Sequence, residues 1–178
     1  MARYWAENTS FVLQLGPYVF LHGSLVHETV QGIVAKYGGS FFEAVNGHVR
    51  KALLGRVDPD PLVVSIGEDR SFSNSDECPP KIDETMLLCG LPPNAVFFCG
   101  HTVQKEISPS CEGKIFRLDI AMSGAFGGTA VGVVEIKKGD PEIRALLSAP
   151  NPFFHVTRHR QYLRGVLKIS RSLKCARK

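Results

Sequence analysis

The feature of this sequence that most constrains its fold is an unbroken apolar run at residues 95–99, Ala-Val-Phe-Phe-Cys. Pro92, Pro93 and Asn94 precede the run and Gly100 follows it, so a helix is broken on both sides. A bounded apolar run of this length predicts a β-strand that is buried on both faces. Strands of that kind occur in sheets that are covered by helices. The sequence therefore predicts a mixed α/β fold.

The remaining segments extend this prediction along the chain. The predicted strands cover residues 11–15, 18–21, 95–99, 114–120 and 131–137. The first two strands form a hairpin around Gly16-Pro17, and the last two make the final third of the chain strand-rich. Helical spacing of apolar residues predicts a helix over residues 29–54, interrupted at Gly38-Gly39, and a shorter helix over 82–91. Four prolines in residues 56–80 predict an irregular loop there.

Charge divides the chain into two parts. The net charge is +4, but residues 155–178 contain eight Lys or Arg and no acidic residue, which leaves 13 basic against 17 acidic residues elsewhere. We expect one domain at residues 1–150 and a basic tail at 151–178. A solvated terminal extension is the favoured interpretation of the tail. A basic helix that binds anionic membranes or nucleic acid is the alternative.

Composition also limits the compartment. No apolar run approaches the roughly 18 residues of a membrane-spanning helix, and the amino terminus lacks a signal-peptide pattern. The five cysteines are odd in number and include no Cys-x-x-Cys pair. This pattern argues against a disulfide framework and against a structural zinc site. The sequence therefore predicts free thiols and a cytoplasmic localisation.

Two histidines stand out because each follows a predicted apolar strand and has glycine beside it. These are His22, which precedes Gly23, and His101, which follows Gly100. Sites in α/β sheets gather outside the carboxyl ends of strands, where imidazole can bind zinc, iron or manganese. The alternative is a hydrogen-bonded histidine at a strand end. The other four histidines are predicted to be ordinary surface residues: His27, His48, His155 and His159.

The segments around these histidines resemble a known family. Residues 22–25, His-Gly-Ser-Leu, resemble the His-Gly-Gly-Leu motif of the phosphoprotein phosphatases, and residues 99–104 resemble their Val-x-Gly-His-Thr motif. Further stretches similar to the Shewanella-like branch of that superfamily lie at residues 44–55, 107–123 and 133–136. The resemblance covers roughly residues 5–138, in the family's order. It implies the carboxy-terminal half of a calcineurin-like metallophosphoesterase β-sandwich flanked by helices.

The resemblance also implies a chemistry. The family binds two divalent metal ions (Mn, Fe or Zn), which hold the phosphate and generate a hydroxide nucleophile. His22 and His101 would each ligate one ion, and Arg70 would bind phosphate oxygens, although a plain surface arginine is an equal interpretation of Arg70. The implied substrate is a phosphoprotein, on serine or threonine, or a small phosphoester.

The departures from the family pattern concern its first half. The sequence contains no Gly-Asp-x-His, Gly-Asp-x-x-Asp-Arg-Gly or Gly-Asn-His-Glu motif, and Ser24 replaces the second glycine of the His-Gly-Gly motif. The ligand set is therefore incomplete, and two hypotheses remain. One is a truncated or partial serine/threonine phosphatase-like hydrolase that is inactive alone and pairs with a missing amino-terminal half or with itself. The other is a phosphatase-derived binding or regulatory module without catalysis.

Overall fold

A computed structural model describes residues 2–121, 131–137 and 140–148 of the chain. The predicted basic tail and the predicted domain boundary at residue 150 lie outside the described residues. The helices are α1 (Ala2–Asn8), α2 (His27–Tyr37), α3 (Phe41–Leu53), α4 (Pro61–Glu68), α5 (Ser71–Asn74) and α6 (Ile82–Leu88), with a 3₁₀ helix at Cys111–Gly113. The strands are β1 (Val12–Leu15), β2 (Tyr18–Leu21), β3 (Val96–Cys99), β4 (Ser108–Ser110), β5 (Ile115–Arg117), β6 (Val131–Lys137) and β7 (Asp140–Ser148). Within these ranges, no helix has both the length and the apolar character needed to cross a membrane.

The centre of the fold is a five-stranded mixed sheet in the order β1-β2-β3-β5-β4. The predicted hairpin is confirmed, since β1 and β2 pair antiparallel. Strand β3 lies parallel to both β2 and β5, and β4 returns antiparallel to β5. Helices α2, α3, α4 and α6 pack on one another beside the sheet. The mixed α/β fold predicted from the sequence is therefore confirmed.

The two faces of the sheet bury different residues, because side chains alternate along each strand. Val19, Phe97 and Ile115 face the helical layer and are fully buried. Phe20, Phe98 and Phe116 occupy the opposite face, at positions paired by register. Their rings stack with centroids 4.8 Å apart for Phe20–Phe98 and 5.5 Å apart for Phe98–Phe116.

Strands β6 and β7 form a separate antiparallel sheet. Val134 and Ile136 of β6 pack against the cluster formed by Phe98 and Phe116. The strand at residues 131–137 was predicted, whereas β7 was not. The strand predicted at residues 114–120 is shorter in the structure, where only Ile115–Arg117 pairs.

The predicted irregular loop at residues 56–80 is wrong, because α4 and α5 lie within it. Asp60 caps α4, since its Oδ1 accepts a hydrogen bond from the Leu62 amide at 2.9 Å. Pro61 is the first helical residue, a position where proline is favoured because that amide has no helical partner. The proline that suggested a loop therefore starts a helix.

The prediction that all cysteines are free thiols is also wrong. Cys78 and Cys111 form a disulfide, while Cys89 and Cys99 are free and buried. Cys78 and Cys111 are 33 residues apart, which matches no short cysteine motif, so their pairing depends on the fold. The bond joins the segment after α5 to the turn between β4 and β5.

Candidate functional site

The two histidines singled out in the sequence come together at one edge of the sheet. Strands β2 and β3 are parallel neighbours, and their last residues, Leu21 and Cys99, are register partners. The chain therefore leaves both strands at the same place, and Gly100 donates its amide to the His22 carbonyl at 3.0 Å. His101 Nδ1 lies 2.9 Å from His22 Nε2.

The backbone holds this arrangement in an uncommon conformation. His101 has a φ of 68°, in the left-handed region that non-glycine residues rarely adopt. The Thr102 amide bonds to the Gly100 carbonyl at 2.8 Å, which closes the turn around His101. Strain of this kind persists where the surrounding structure imposes it, often at a functional site. The His22 ring is exposed and the His101 ring is half-buried, so a ligand can reach the pair.

The segment after His22 packs tightly against the end of α4. A Cβ atom at Gly23 would lie closer than 3.0 Å to the carbonyl oxygens of Ile66, Gly67 and Asp69. Only glycine fits at this position without moving the backbone. The next residue, Ser24, is buried and donates its amide to the Ile66 carbonyl at 3.0 Å.

Arg70 lies on the segment that follows α4, and its side chain is exposed. The backbone around Arg70 contacts the loop after β2, which carries His22, and the loop after β3, which carries His101 (the two histidine loops). Ser24 Oγ donates to the Asp69 carbonyl, and Ser73 Oγ donates to the Gly100 carbonyl at 3.1 Å. The structure therefore places Arg70 between the loops that carry the two histidines. The Arg70 side chain does not line the cavity beside them.

A cavity of about 500 Å³ opens next to the histidine pair. It lies between α3 and α4, and its walls are mostly apolar, including Val49, Leu53 and Val63. His22 and His101 lie on its lining together with His48 and Asp60, which belong to a second polar group. The volume is within the range of small-molecule sites in proteins.

The second polar group is a hydrogen-bonded cluster that sequence reasoning missed. Asp60 Oδ2 accepts hydrogen bonds from Lys36 Nζ at 2.7 Å and from the Tyr37 hydroxyl. His48 Nε2 accepts the Asp60 amide at 3.0 Å, so His48 Nδ1 carries the proton of the neutral ring and donates to Tyr37 at 3.2 Å. The hydrogen bonds from Lys36, then from Tyr37, lower the pKa of Asp60 to about 2. His48 is thus a structural residue, not the ordinary surface histidine predicted.

His27 was also predicted to lie at the surface, and this is wrong. It is only 8% exposed, and its Nδ1 lies 3.4 Å from the Thr85 hydroxyl. Its Nε2 lies 3.9 Å from a Glu84 carboxylate oxygen. Helical spacing could have indicated this burial, since the apolar Val30 follows His27 by three residues on the same face of α2.

The cysteines within the described ranges are not activated nucleophiles. Burial raises the pKa of Cys89 to about 12 and also raises the pKa of Cys99. Cys78 and Cys111 are joined in the disulfide. A thiolate attack on phosphorus needs a lowered thiol pKa, which these residues do not have.

His22 and His101 are the residues for which the resemblance implies metal binding. Among the described residues, no group of three or more His, Cys, Asp or Glu side chains has the geometry to hold a metal ion. Two imidazoles do not neutralise two divalent cations, and bridging carboxylates are what such sites use. The described residues therefore do not fit a complete dinuclear site.

Comparison with known proteins gives a fold likeness only. No protein-family model matches the sequence, and no curated protein sequence matches it either. The structure is similar to the cold-active protein-tyrosine phosphatase of a psychrophilic Shewanella species, with a TM-score of 0.56, 13% identity, and coverage of 82% of this chain and 42% of that one. A structure of a cold-active protein tyrosine phosphatase at 1.1 Å matches with a TM-score of 0.54 and 12% identity, over 89% of this chain and 45% of that one. This chain therefore spans less than half of the length of these phosphatases.

Proposed function

We propose that this chain carries the histidine half of the active site of a metal-dependent phosphoester hydrolase. The observation that supports this most is the approach of His22 Nε2 to His101 Nδ1, 2.9 Å apart, at the carboxyl ends of two parallel strands. Ligand sites in open α/β sheets are expected at that edge. The motif resemblance and the likeness to a phosphatase fold are in agreement with the same chemistry.

The distance between the two rings favours a different ligand arrangement from the one that the resemblance implies. His22 Nε2 and His101 Nδ1 lie 2.9 Å apart, within hydrogen-bond distance, so a single divalent ion that took the place of the shared proton would be ligated by both rings. We propose that the two histidines hold the same ion. Such an ion, once bound, polarises phosphoryl oxygens and makes a bound water more acidic.

The other residues of the chain have proposed roles around that position. Arg70 binds phosphate oxygens, because its guanidinium fork matches them in a bidentate way. The adjoining cavity takes the organic part of the phosphoester and keeps water away from it.

Metal binding by the full 178-residue chain tests this proposal. Calorimetric titration of the metal-free chain with Zn²⁺ or Mn²⁺ should give one site per chain. His22→Ala and His101→Ala should each weaken binding at least tenfold, which is about 1.4 kcal/mol. His159→Ala, which removes a histidine outside the described residues, is the matched control and should leave the Kd unchanged. Two independent sites, one lost in each variant, would contradict the shared ion.

We expect the chain alone to show no appreciable turnover, because the carboxylate ligands of the family site are absent from its sequence. Assays with phenyl phosphate, phosphoserine and phosphotyrosine peptides should therefore give background rates even with saturating Mn²⁺. Robust metal-dependent hydrolysis would contradict the proposal of a half site. Activity that returns on adding a polypeptide with the missing motifs would support it, and the substrates preferred then would distinguish serine/threonine from tyrosine specificity.

A non-catalytic binding module is the second candidate. The lack of a three-ligand cluster among the described residues favours it. In that case the purified chain should contain no metal and should show no zinc binding that depends on His22 or His101.

A further inference from the structure

Ser24 stands where the resembled motif has glycine, and its hydroxyl makes two hydrogen bonds that glycine cannot make. Ser24 is 1% exposed. Its Oγ donates to the Asp69 carbonyl at 3.1 Å and accepts the Phe72 amide at 2.9 Å. These two backbone groups lie on either side of Arg70, so one buried hydroxyl spans the arginine segment.

The same segment is fixed against the His22 loop by its backbone. The Ser24 amide donates to Ile66, and Gly23 leaves no room for a side chain between the loop and the end of α4. The Asp69 carboxylate then accepts the Ser71 amide at 2.8 Å, which shapes the turn that carries Arg70. The position of the Arg70 backbone therefore depends on Ser24, two residues after His22.

The far side of the segment is tied to the loop of the other histidine. Ser73 Oγ donates to the Gly100 carbonyl at 3.1 Å, next to His101. Gln104 Nε2 donates to the Ser73 carbonyl at 3.3 Å. Residues 69–73 thus form a bridge between the two histidine loops, with Arg70 within it.

We propose that Ser24 is a positioning residue that holds Arg70 in place for a phosphate bound beside His22 and His101. This proposal rests on the proposed function, in which Arg70 binds phosphate oxygens. The Ser24 hydroxyl does not touch the substrate. It acts through the backbone of residues 69–72. Because this backbone is already held in place, less conformational entropy of the Arg70 segment is lost when a phosphate binds.

The test measures binding of phenylphosphonate, a non-hydrolysable probe, to the full chain by NMR titration, with and without zinc. Arg70→Ala should weaken binding about tenfold. Ser24→Ala should weaken it by a similar factor, and the double variant should be no weaker than either single one, because both changes remove the same interaction. Zinc affinity should change less than threefold in Ser24→Ala. The matched control is Ser65→Ala, whose hydroxyl donates to the Leu62 carbonyl on α4 and should leave probe binding unchanged.

The outcomes separate this proposal from the function on which it rests. If Arg70→Ala weakens probe binding and Ser24→Ala does not, the positioning role is overturned while the phosphate role of Arg70 stands. If neither variant changes the Kd, both are overturned. Should Ser24→Ala fail to fold, hydrogen exchange in the unmodified chain gives the answer: probe binding should slow exchange of the Phe72 amide. An unchanged Phe72 rate with a shifted Arg70 Nε resonance would overturn the proposal.

Discussion

Replacement of Asp60 by Asn tests how much the polar cluster beside the cavity contributes to stability. Asn keeps the size of the side chain and can still accept the Leu62 amide, so the α4 cap is retained. The change removes the negative charge that Lys36 and Tyr37 bind. The result therefore measures the charged interactions of Asp60 and not the cap.

The magnitude follows from the pKa of the carboxyl. The interval between the ordinary value of 3.8 and the pKa of about 2 corresponds to about 2.4 kcal/mol. The Lys36 side chain is 55% exposed, so solvent screens the pair, and we expect a loss of about 1–2 kcal/mol for Asp60→Asn at pH 7.

The loss should depend on pH in one direction. Asp60 has a lower pKa in the folded chain than in the unfolded chain, so the unfolded chain takes up the proton first as the pH falls. Acid therefore favours unfolding. The stabilisation is complete above pH 3.8 and disappears as the pH falls through about 2. The difference between Asp60→Asn and the unmodified chain should accordingly fall to a small part of its pH 7 value at pH 2.

Urea unfolding followed by circular dichroism at pH 7, 5, 3 and 2 measures this difference. Asp58→Asn, two residues earlier in the same loop and exposed, is the control and should stay within 0.5 kcal/mol of the unmodified chain, as is typical of a surface change. A difference for Asp60→Asn that is the same at pH 7 and pH 2 would refute the assignment of the stabilisation to the charge.

Three further changes follow from the fold. Cys78→Ser should lower the free energy of unfolding by about 4 kcal/mol, since the disulfide to Cys111 closes a loop of 33 residues, and dithiothreitol should then have no further effect on urea unfolding. Gly23→Ala should shift the midpoint of unfolding strongly downward, because the added methyl meets three carbonyl oxygens; an unchanged midpoint would mean that the loop is not packed as described. Asn46→Ala should cost about 2–4 kcal/mol, since its amide group makes three hydrogen bonds to the start of β1, whereas the exposed Asn8→Ala should cost well under 1 kcal/mol in the same assay.

The parts of the fold that could be predicted are those in which one local signal decides the outcome. The apolar run at residues 95–99 is too short for a buried helix between its flanking prolines and glycine, so it predicts a buried strand, and β3 is found there. Gly38-Gly39 separates two helices, since both glycines take a positive φ that continues neither helix. The loop prediction at residues 56–80 failed because a proline signal has two meanings, and only the cap by Asp60 shows which one applies.

The parts that could not be predicted depend on distant segments. The cluster around Asp60 joins the end of α2 and the interior of α3 to the start of α4, and each of its residues alone looks like an exposed polar residue. The disulfide likewise depends on where β4 returns, which no spacing of cysteines encodes. The contact between His22 and His101 spans 79 residues and requires β2 and β3 to be neighbours.

The register of β2 on β3 is what makes that contact possible. A slip by one residue would move His101 by about 3.3 Å along the sheet and turn alternate side chains to the other face. The aromatic stack of Phe20, Phe98 and Phe116 opposes such a slip. A slip of one residue would turn the rings of one strand to the helical face of the sheet and separate them from their stacking partners. The residues that place the two histidines together therefore lie on the face of the sheet that the candidate site does not use. Phe98→Ala should weaken metal binding along with stability, because it removes the ring that stacks on both Phe20 and Phe116.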